Sequence, residues 1–193
     1  MRLPLLPPAS MNAEQKDLYD DIVSEIDANF GELVTRRKDG ALIGPFNAWL
    51  HFPQFGRLAW AFNKAMWEHS VLAAAIHQIV ILVTAVKFGA RYEIYGHEYF
   101  ARRAGLAEDK IATIAAGQRP TDLTHDEGVA YDIAAALNRG GPLPESTYRA
   151  ALDAFGDAGL AEVAFLVGCF SMVGVTLNAF DASVPGRDEL LDP

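Results

Sequence analysis

The fold of this chain is decided by one stretch of its sequence, Gly89-Ala90-Arg91-Tyr92-Glu93-Ile94-Tyr95-Gly96-His97-Glu98-Tyr99-Phe100-Ala101-Arg102-Arg103-Ala104-Gly105-Leu106. Its residue spacing predicts one helix, on which Glu93 and His97 lie one turn apart on the same face. Alanines and Ile94 share that face, so we expect it to pack closely against another helix. An acid and an imidazole on a packed face need each other or a ligand, because burying either of them alone is costly.

The other helices follow from apolar periodicity and from capping signals. Asn12 with Gln15, and Thr124 with Glu127, form capping boxes, and Pro53 suits the first turn of a helix. No stretch shows the sustained alternation of a strand, so we predict an all-α protein of about seven or eight helices, with residues 31–53 mostly irregular. The predicted helices cover residues 12–29, 53–68, 72–88, 90–105, 108–116, 124–138, 144–155 and 160–180.

Composition limits the partners of the protein. With 193 residues, 51% of them hydrophobic, the chain can build one substantial core, and we expect a single domain over 1–193 with an extended arm at 1–11. A net charge of −9 argues against a nucleic-acid partner. The apolar run 163–177 is short for a bilayer span, and prolines interrupt any signal-like core at the amino terminus. We therefore expect a cytoplasmic protein without a membrane partner.

Two segments, 72–88 and 160–180, are apolar on nearly every side. In a chain of this size, a core alone does not use that much apolar surface, so part of it is expected to lie between subunits. The sequence thus predicts a homo-oligomer.

The motif around residues 78–117 resembles the carboxymuconolactone decarboxylase and alkylhydroperoxidase D superfamily. The residues that carry the resemblance are the apolar helix with Gln78-Ile79-Val80-Ile81-Leu82, then Tyr92-Glu93, His97, Ala101, Ala104-Gly105-Leu106 and Ile114 to Gly117. The resemblance implies a single carboxymuconolactone decarboxylase-like domain with a core motif at about 72–117. It also implies an alkylhydroperoxidase D-like helical fold that assembles as a trimer or hexamer.

The chain departs from the peroxidase branch of that family at the reactive positions. The peroxidases carry a C-x-x-C one helical turn before the histidine, and a glutamate on the preceding helix. Here Ala90 and Glu93 stand at the two cysteine positions and Gln78 at the glutamate position. The single cysteine, Cys169, lies in the most apolar segment, where a thiol is inert. We therefore expect no thiol peroxidase activity.

The decarboxylase branch, which lacks the cysteine pair, fits better. The resemblance implies a cofactor-free lyase or isomerase that acts on a small anionic carbonyl or lactone compound. His97 would act as the acid and base, and Glu93 would orient it and raise its pKa unless burial opposes. The residues expected to bind the substrate are Gln78, Tyr92, Trp49, His51 and Arg91, and the other candidate anchors for an anion are Arg102, Arg103 and Arg57.

Other interpretations stay open. Glu93 and His97 can form a structural tie between helices, or supply two ligands to a metal ion, although no second motif completes a ligand set. His77 is interpreted as a satisfied, partly buried histidine. The protein as a whole can be a non-catalytic, oligomeric binding module for small molecules. Whether Glu93 and His97 line a cavity or are sealed by packing distinguishes these interpretations.

Overall fold

A computed structural model describes residues 1–186, and over these residues the chain is all-helical. It contains eight α-helices and no strand, which confirms the predicted class. The helices are α1 (Ala13–Asn29), α2 (Pro45–His51), α3 (Pro53–Glu68), α4 (Ala74–Phe88), α5 (Arg91–Arg103), α6 (Glu108–Ala115), α7 (His125–Arg139) and α8 (Glu145–Ala179).

The central element is α4, which packs against α5, α6, α7 and α8. Its residues 79–85 are buried without interruption, as its apolar sequence predicts. Thr84 is the polar exception: its hydroxyl donates to the Val80 carbonyl and accepts from the Asn138 amide of α7. At the end of α4, the Asn178 amide of α8 donates to the Phe88 carbonyl at 2.6 Å.

The start signals of the helices act as the sequence predicts. Both capping boxes form, at Asn12 with Gln15 and at Thr124 with Glu127, and Pro53 occupies the first position of α3. Gly89 ends α4 in the left-handed conformation, at φ 60° and ψ 30°. The chain then turns directly into α5, the helix that carries Glu93 and His97.

One segment differs from the prediction, and the interruption of the last long helix agrees with it. Residues 45–51, expected to be irregular, form the helix α2, because Pro45 starts a turn that its buried neighbours then complete. The two last predicted helices lie within α8 on either side of Gly156, whose backbone is non-helical at φ 64° and ψ −176°, so the predicted break between them is present as a kink. A glycine tolerates that backbone conformation, so the axis bends there while the helical segments on both sides continue.

The amino-terminal arm is extended apart from a short 3₁₀ turn at Pro8–Ser10, and it lies against α2. Asn47 of α2 accepts from the Leu6 amide and donates to the Pro4 carbonyl. The His51 ring donates through Nε2 to the same carbonyl at 2.8 Å. These hydrogen bonds hold the amino-terminal arm against α2.

An exposed apolar surface runs along α3 and α8. We call it the outer apolar surface, and its exposed side chains are Phe55, Leu58, Phe62, Phe165 and Val175. Phe62 and Phe165 join the two helices through an edge-to-face contact with centroids 6.4 Å apart. By length and composition, α8 would suffice to cross a membrane, but half of its most apolar window is buried inside the protein, and a core helix passes the same test.

The loop before α2 depends on a glycine. Gly44 has φ 68° and ψ −143°, and a Cβ added there would lie 2.2 Å from Cε1 of Tyr92. We expect Gly44→Ala to cost at least about 3 kcal/mol of unfolding free energy, because strain and overlap add. Gly89→Ala, which also has positive φ but open space around it, is the matched control and should cost about 1 kcal/mol. Urea unfolding of both variants measures the difference, and equal losses would contradict this prediction.

Candidate functional site

A cavity of about 380 Å³ lies among α1, α2, α3, α4, α5 and α8. Much of its wall consists of aromatic rings, which suit a flat and largely apolar guest. These rings belong to Phe30, Phe46, Trp49, Trp67, Phe100 and Phe170. Several polar side chains interrupt the apolar wall, and they come from α3, α4 and α5. They are Asn63, His77, Gln78, Tyr92, Glu93, His97 and Arg103.

His97 presents its imidazole to this cavity from the middle of α5. Its Nδ1 lies 2.8 Å from Oε1 of Gln78, and its ring packs edge-on against Phe170 with centroids 4.9 Å apart. With the amide oxygen accepting, Nδ1 carries the proton and Nε2 carries the lone pair. No described residue hydrogen-bonds Nε2, so this nitrogen is available to a bound molecule.

The partner of His97 differs from the one that the sequence predicts. Gln78 orients the ring, and no hydrogen bond joins Glu93 to His97, although both residues line the same cavity. Burial lowers the pKa of His97 to about 3, and the charge of His77 adds to this effect. Burial thus opposes the rise in the His97 pKa that pairing with Glu93 would cause, and the Gln78 amide supplies no negative charge.

Glu93 is buried with both carboxyl oxygens unpaired. It is 3% exposed, and no described residue hydrogen-bonds either oxygen. Burial raises the pKa of this carboxyl well above its usual value, which favours its neutral, protonated form. The Tyr92 hydroxyl is also buried and unpaired, and burial raises its pKa. Glu93 is thus a proton donor that has no partner within the described chain.

A second imidazole, that of His77, reaches the cavity from α4. Its Nδ1 lies 3.2 Å from Oε1 of Glu162, a buried residue of α8. Glu162 also accepts from the Ser70 hydroxyl and from the backbone amides of Val71 and Leu72. Burial lowers the pKa of His77, and its bond to Glu162 acts in the opposite direction.

Of the seven site residues predicted from the sequence, five meet at the cavity. They are Trp49, Gln78, Tyr92, Glu93 and His97. His51 and Arg91 do not reach it: His51 binds the amino-terminal arm, and Arg91 lies at the surface, 3.6 Å from Asp181. Both are placed elsewhere because their side chains point away from the ring-lined face of their helices.

Among the other candidate arginines, only Arg103 lines the cavity within the described residues. Arg57 pairs with Asp17 and Arg102 pairs with Glu108 on the outer surface. Arg103 donates to the Asn29 carbonyl at 2.9 Å and lies over the Tyr99 ring. No described carboxylate pairs with it, so its charge is available at the cavity wall.

Sequence reasoning missed Asn63 and the cavity role of His77. His77 is indeed satisfied by a partner, as interpreted, but it lines the cavity as well. One signal was present in the sequence: Glu162 is the only charged residue in the apolar run 160–180. A lone acid in a core helix predicts a buried partner, although it does not say which residue that partner is.

Neither the single cysteine nor a cluster of metal ligands adds a reactive group to the cavity within the described residues. Cys169 is buried and burial raises its pKa to about 11, in agreement with an inert thiol. Its sulfur accepts a weak bond from the Asn63 amide at 3.7 Å. Within residues 1–186, no group of three or more His, Cys, Asp or Glu side chains is arranged to hold a metal ion.

Comparison with known proteins supports the fold. No protein-family model and no curated protein matches the sequence. A peroxidase-related protein with an alkylhydroperoxidase AhpD core from Ralstonia eutropha is similar in structure, with a TM-score of 0.78 and 16% identity over 98% of this chain and 94% of that chain.

Two further structures extend the comparison. An AhpD-type protein from Agrobacterium tumefaciens has a TM-score of 0.66 and 15% identity over 73% of this chain and 97% of its own. A cysteine-to-alanine variant of the debrominase Bmp8, in complex with 2,3,4-tribromopyrrole, has a TM-score of 0.71 and 12% identity over 98% of this chain and 93% of its own. The chain therefore has the AhpD-like helical fold that its motif implies, and identities this low establish no specific activity.

The unpaired carboxyl of Glu93 predicts an unusual dependence of stability on pH. The unfolded chain ionises Glu93 above its ordinary pKa of 4.5, whereas the folded chain keeps the proton. Unfolding therefore becomes more favourable as pH rises above that value. We expect Glu93→Gln to raise the melting temperature by about 2 °C or more near pH 8, and to have little effect near pH 4.

Glu98→Gln is the control for this measurement, because Glu98 lies on the outer side of the same helix and pairs with Arg102. It should show no pH-dependent gain. A melting temperature for Glu93→Gln below that of the unmodified protein at both pH values would show that Glu93 is ionised and paired.

Proposed function

We propose that this protein is a cofactor-free lyase or isomerase that binds a small carbonyl or lactone compound in its aromatic cavity. One observation carries the proposal: Glu93, a buried acid without a hydrogen-bond partner, and His97, an imidazole with a free Nε2, line the same cavity. A buried acid without a partner costs stability, and a bound molecule that accepts its hydrogen bond offsets that cost.

The two groups suit chemistry at a carbon next to a carbonyl. In an isomerisation, Nε2 of His97 takes a proton from that carbon, and the electron pair of the C–H bond moves to the carbonyl oxygen. Glu93, held as a neutral acid, donates a hydrogen bond to this oxygen where negative charge develops. The imidazolium then returns its proton to another carbon of the same molecule, so that no atom is gained or lost.

In a decarboxylation, the bond to the carboxylate carbon breaks instead. Carbon dioxide leaves, the electron pair forms an enolate, and the carbon takes a proton from the cavity, so that one proton is consumed in each turnover. Glu93 stabilises the enolate oxygen in the same way. Arg103 is the cation that we propose as the anchor of the substrate carboxylate, because no described acid neutralises it at the cavity wall.

The structural relatives support a small ring as the guest. The Bmp8 debrominase variant of the same fold holds 2,3,4-tribromopyrrole, a small flat ring. The six aromatic side chains of the present cavity offer comparable apolar contact. Thiol peroxidase chemistry is not part of the proposal, since the only cysteine is buried with a pKa of about 11.

A second candidate is a non-catalytic module that binds small molecules. The low pKa of His97, about 3, favours it, because such an imidazole accepts a hydrogen bond better than it holds a proton. For either function we also propose a cytoplasmic homo-oligomer that needs no cofactor, metal ion, nucleic acid or membrane.

Replacing His97 separates the two candidates. If the protein is an enzyme, His97→Gln should lower turnover of a panel of carboxylated lactones by about 10²–10⁴-fold, because it removes the proton carrier. Glu93→Gln should lower turnover less, since an amide still donates a hydrogen bond to the oxygen. His125→Gln, an exposed histidine in the first turn of α7, is the control and should retain full activity.

Folding of each variant is checked by its melting temperature. Full activity per folded molecule in His97→Gln would end the catalytic assignment of this residue. A panel that the unmodified protein binds, as shown by quenching of tryptophan fluorescence, but never converts would support the binding module instead.

The outer apolar surface predicts the assembly of the protein. We expect an oligomer in sedimentation at micromolar concentration, because exposed rings on α3 and α8 bury apolar area in a second copy. Leu58→Lys together with Phe165→Lys should shift the sedimentation toward the monomer. Lys16→Ala together with Arg149→Ala, at exposed positions on α1 and α8, should leave it unchanged. A monomeric unmodified protein would contradict the prediction.

A further inference from the structure

The cavity contains a second acid–base pair besides His97, and it has no assigned role. His77 is buried in α4 and lines the cavity, and Glu162 is buried in α8 and holds His77 through Nδ1 at 3.2 Å. The bond to Glu162 occupies Nδ1 of His77 and leaves Nε2 without that partner. No described residue hydrogen-bonds that nitrogen.

Glu162, the partner of His77, accepts several hydrogen bonds although it is buried. One carboxyl oxygen takes the Ser70 hydroxyl and the imidazole, and the other takes the amides of Val71 and Leu72 at 2.7 and 3.2 Å. Four donors on one buried group are the environment of a carboxylate anion. A structural tie between two helices needs a hydrogen-bond partner but does not need a full negative charge.

The two histidines of the cavity therefore differ in the group that accepts the hydrogen bond from Nδ1. The Nδ1 proton of His97 faces an amide oxygen, that of Gln78, whereas the Nδ1 proton of His77 faces the Glu162 carboxylate. When an imidazole takes up a second proton, a negative charge behind it stabilises the cation and an amide does so far less. Within this cavity, His77 is the better site for a proton that has to stay for the lifetime of an intermediate.

We infer that His77 is a second proton-transferring residue, positioned by Glu162, and that the guest of the cavity carries an acidic hydroxyl group, an enol or a phenol, whose proton His77 accepts. The inference rests on the proposed function: His97 works at carbon and His77 works at oxygen. The proton passes from the hydroxyl oxygen to Nε2 of His77, the O–H electron pair stays on the oxygen, and the resulting oxyanion lies beside the imidazolium. The same proton returns when the product forms.

The other titratable groups around His77 fit this assignment. From α5, Glu93 faces the cavity as a neutral acid and His97 as a neutral imidazole, so neither competes as a charged partner. From α8, Glu162 is the charged group in contact with the ring. Burial lowers the pKa of His77, so the ring begins neutral, and the charge of Glu162 acts against this shift when the ring takes up a proton.

The test uses 4-nitrophenol, a flat ring with an acidic hydroxyl whose ionised form absorbs visible light. The probe is added to the unmodified protein at a pH where the free phenol is protonated. We expect binding to produce the phenolate absorption. In His77→Gln, and in Glu162→Gln, the absorption per bound probe should fall by about fivefold or more while binding persists. His97→Gln should keep most of it, and His125→Gln should match the unmodified protein.

A measurement on the unmodified protein covers the case in which a variant fails to fold. Nitrogen NMR of ¹⁵N-histidine-labelled protein should show the His77 ring changing from neutral imidazole to imidazolium when 4-nitrophenol binds. A merely structural His77 would keep its neutral signals. An unchanged His77 ring, a bound probe that stays protonated, a loss of phenolate only in His97→Gln, or no binding of the probe would each overturn the inference.

Failure of the His77 assignment can be distinguished from failure of the proposed reaction. If the lactone panel is not turned over but 4-nitrophenol is ionised at His77, the reaction fails and the proton acceptor stands. If lactones are turned over with full activity in His77→Gln and the probe is not ionised, the reaction stands and the role of His77 falls.

Discussion

The packing of the protein follows from one constraint: α4 is apolar on nearly every side and must be buried. A helix that is apolar all round has to be surrounded, and α5, α6, α7 and α8 surround it. Its two polar residues near the start, His77 and Gln78, cannot be covered by apolar neighbours without cost, and they border the aromatic cavity. The cavity therefore lies where the sequence of α4 changes from polar to apolar, and its walls come from the helices that bury the rest of α4.

Burial shifts the pKa values of the acid and the base in this cavity in opposite directions. It raises the pKa of Glu93 and lowers that of His97, because in both cases the charged form loses its hydration. Burial therefore favours the neutral form of both groups, Glu93 as a donor and His97 as an acceptor. The same desolvation that gives them these roles lowers the stability of the empty protein, which favours a guest that pairs with both.

The AhpD-like fold is retained at very low sequence identity. At 12–16% identity, the compared structures share the arrangement of the helices and little of the sequence. In the present chain the positions that resemble a cysteine pair hold Ala90 and Glu93, and the remaining cysteine is buried in α8. The fold therefore accommodates a small apolar residue at position 90 and a buried acid at position 93.

The sequence by itself determined the helical class, the capping boxes, the start of α3 and the shared face of Glu93 and His97, because these depend on contacts within a few residues. Of the seven site residues that it predicted, five line the cavity. Only the tertiary structure decided that Gln78, and not Glu93, holds His97, and that Glu162 holds His77 across 85 residues of chain. It likewise placed His51 and Arg91 outside the cavity. Which side chains meet depends on how α4, α5 and α8 cross, and no local pattern encodes that geometry.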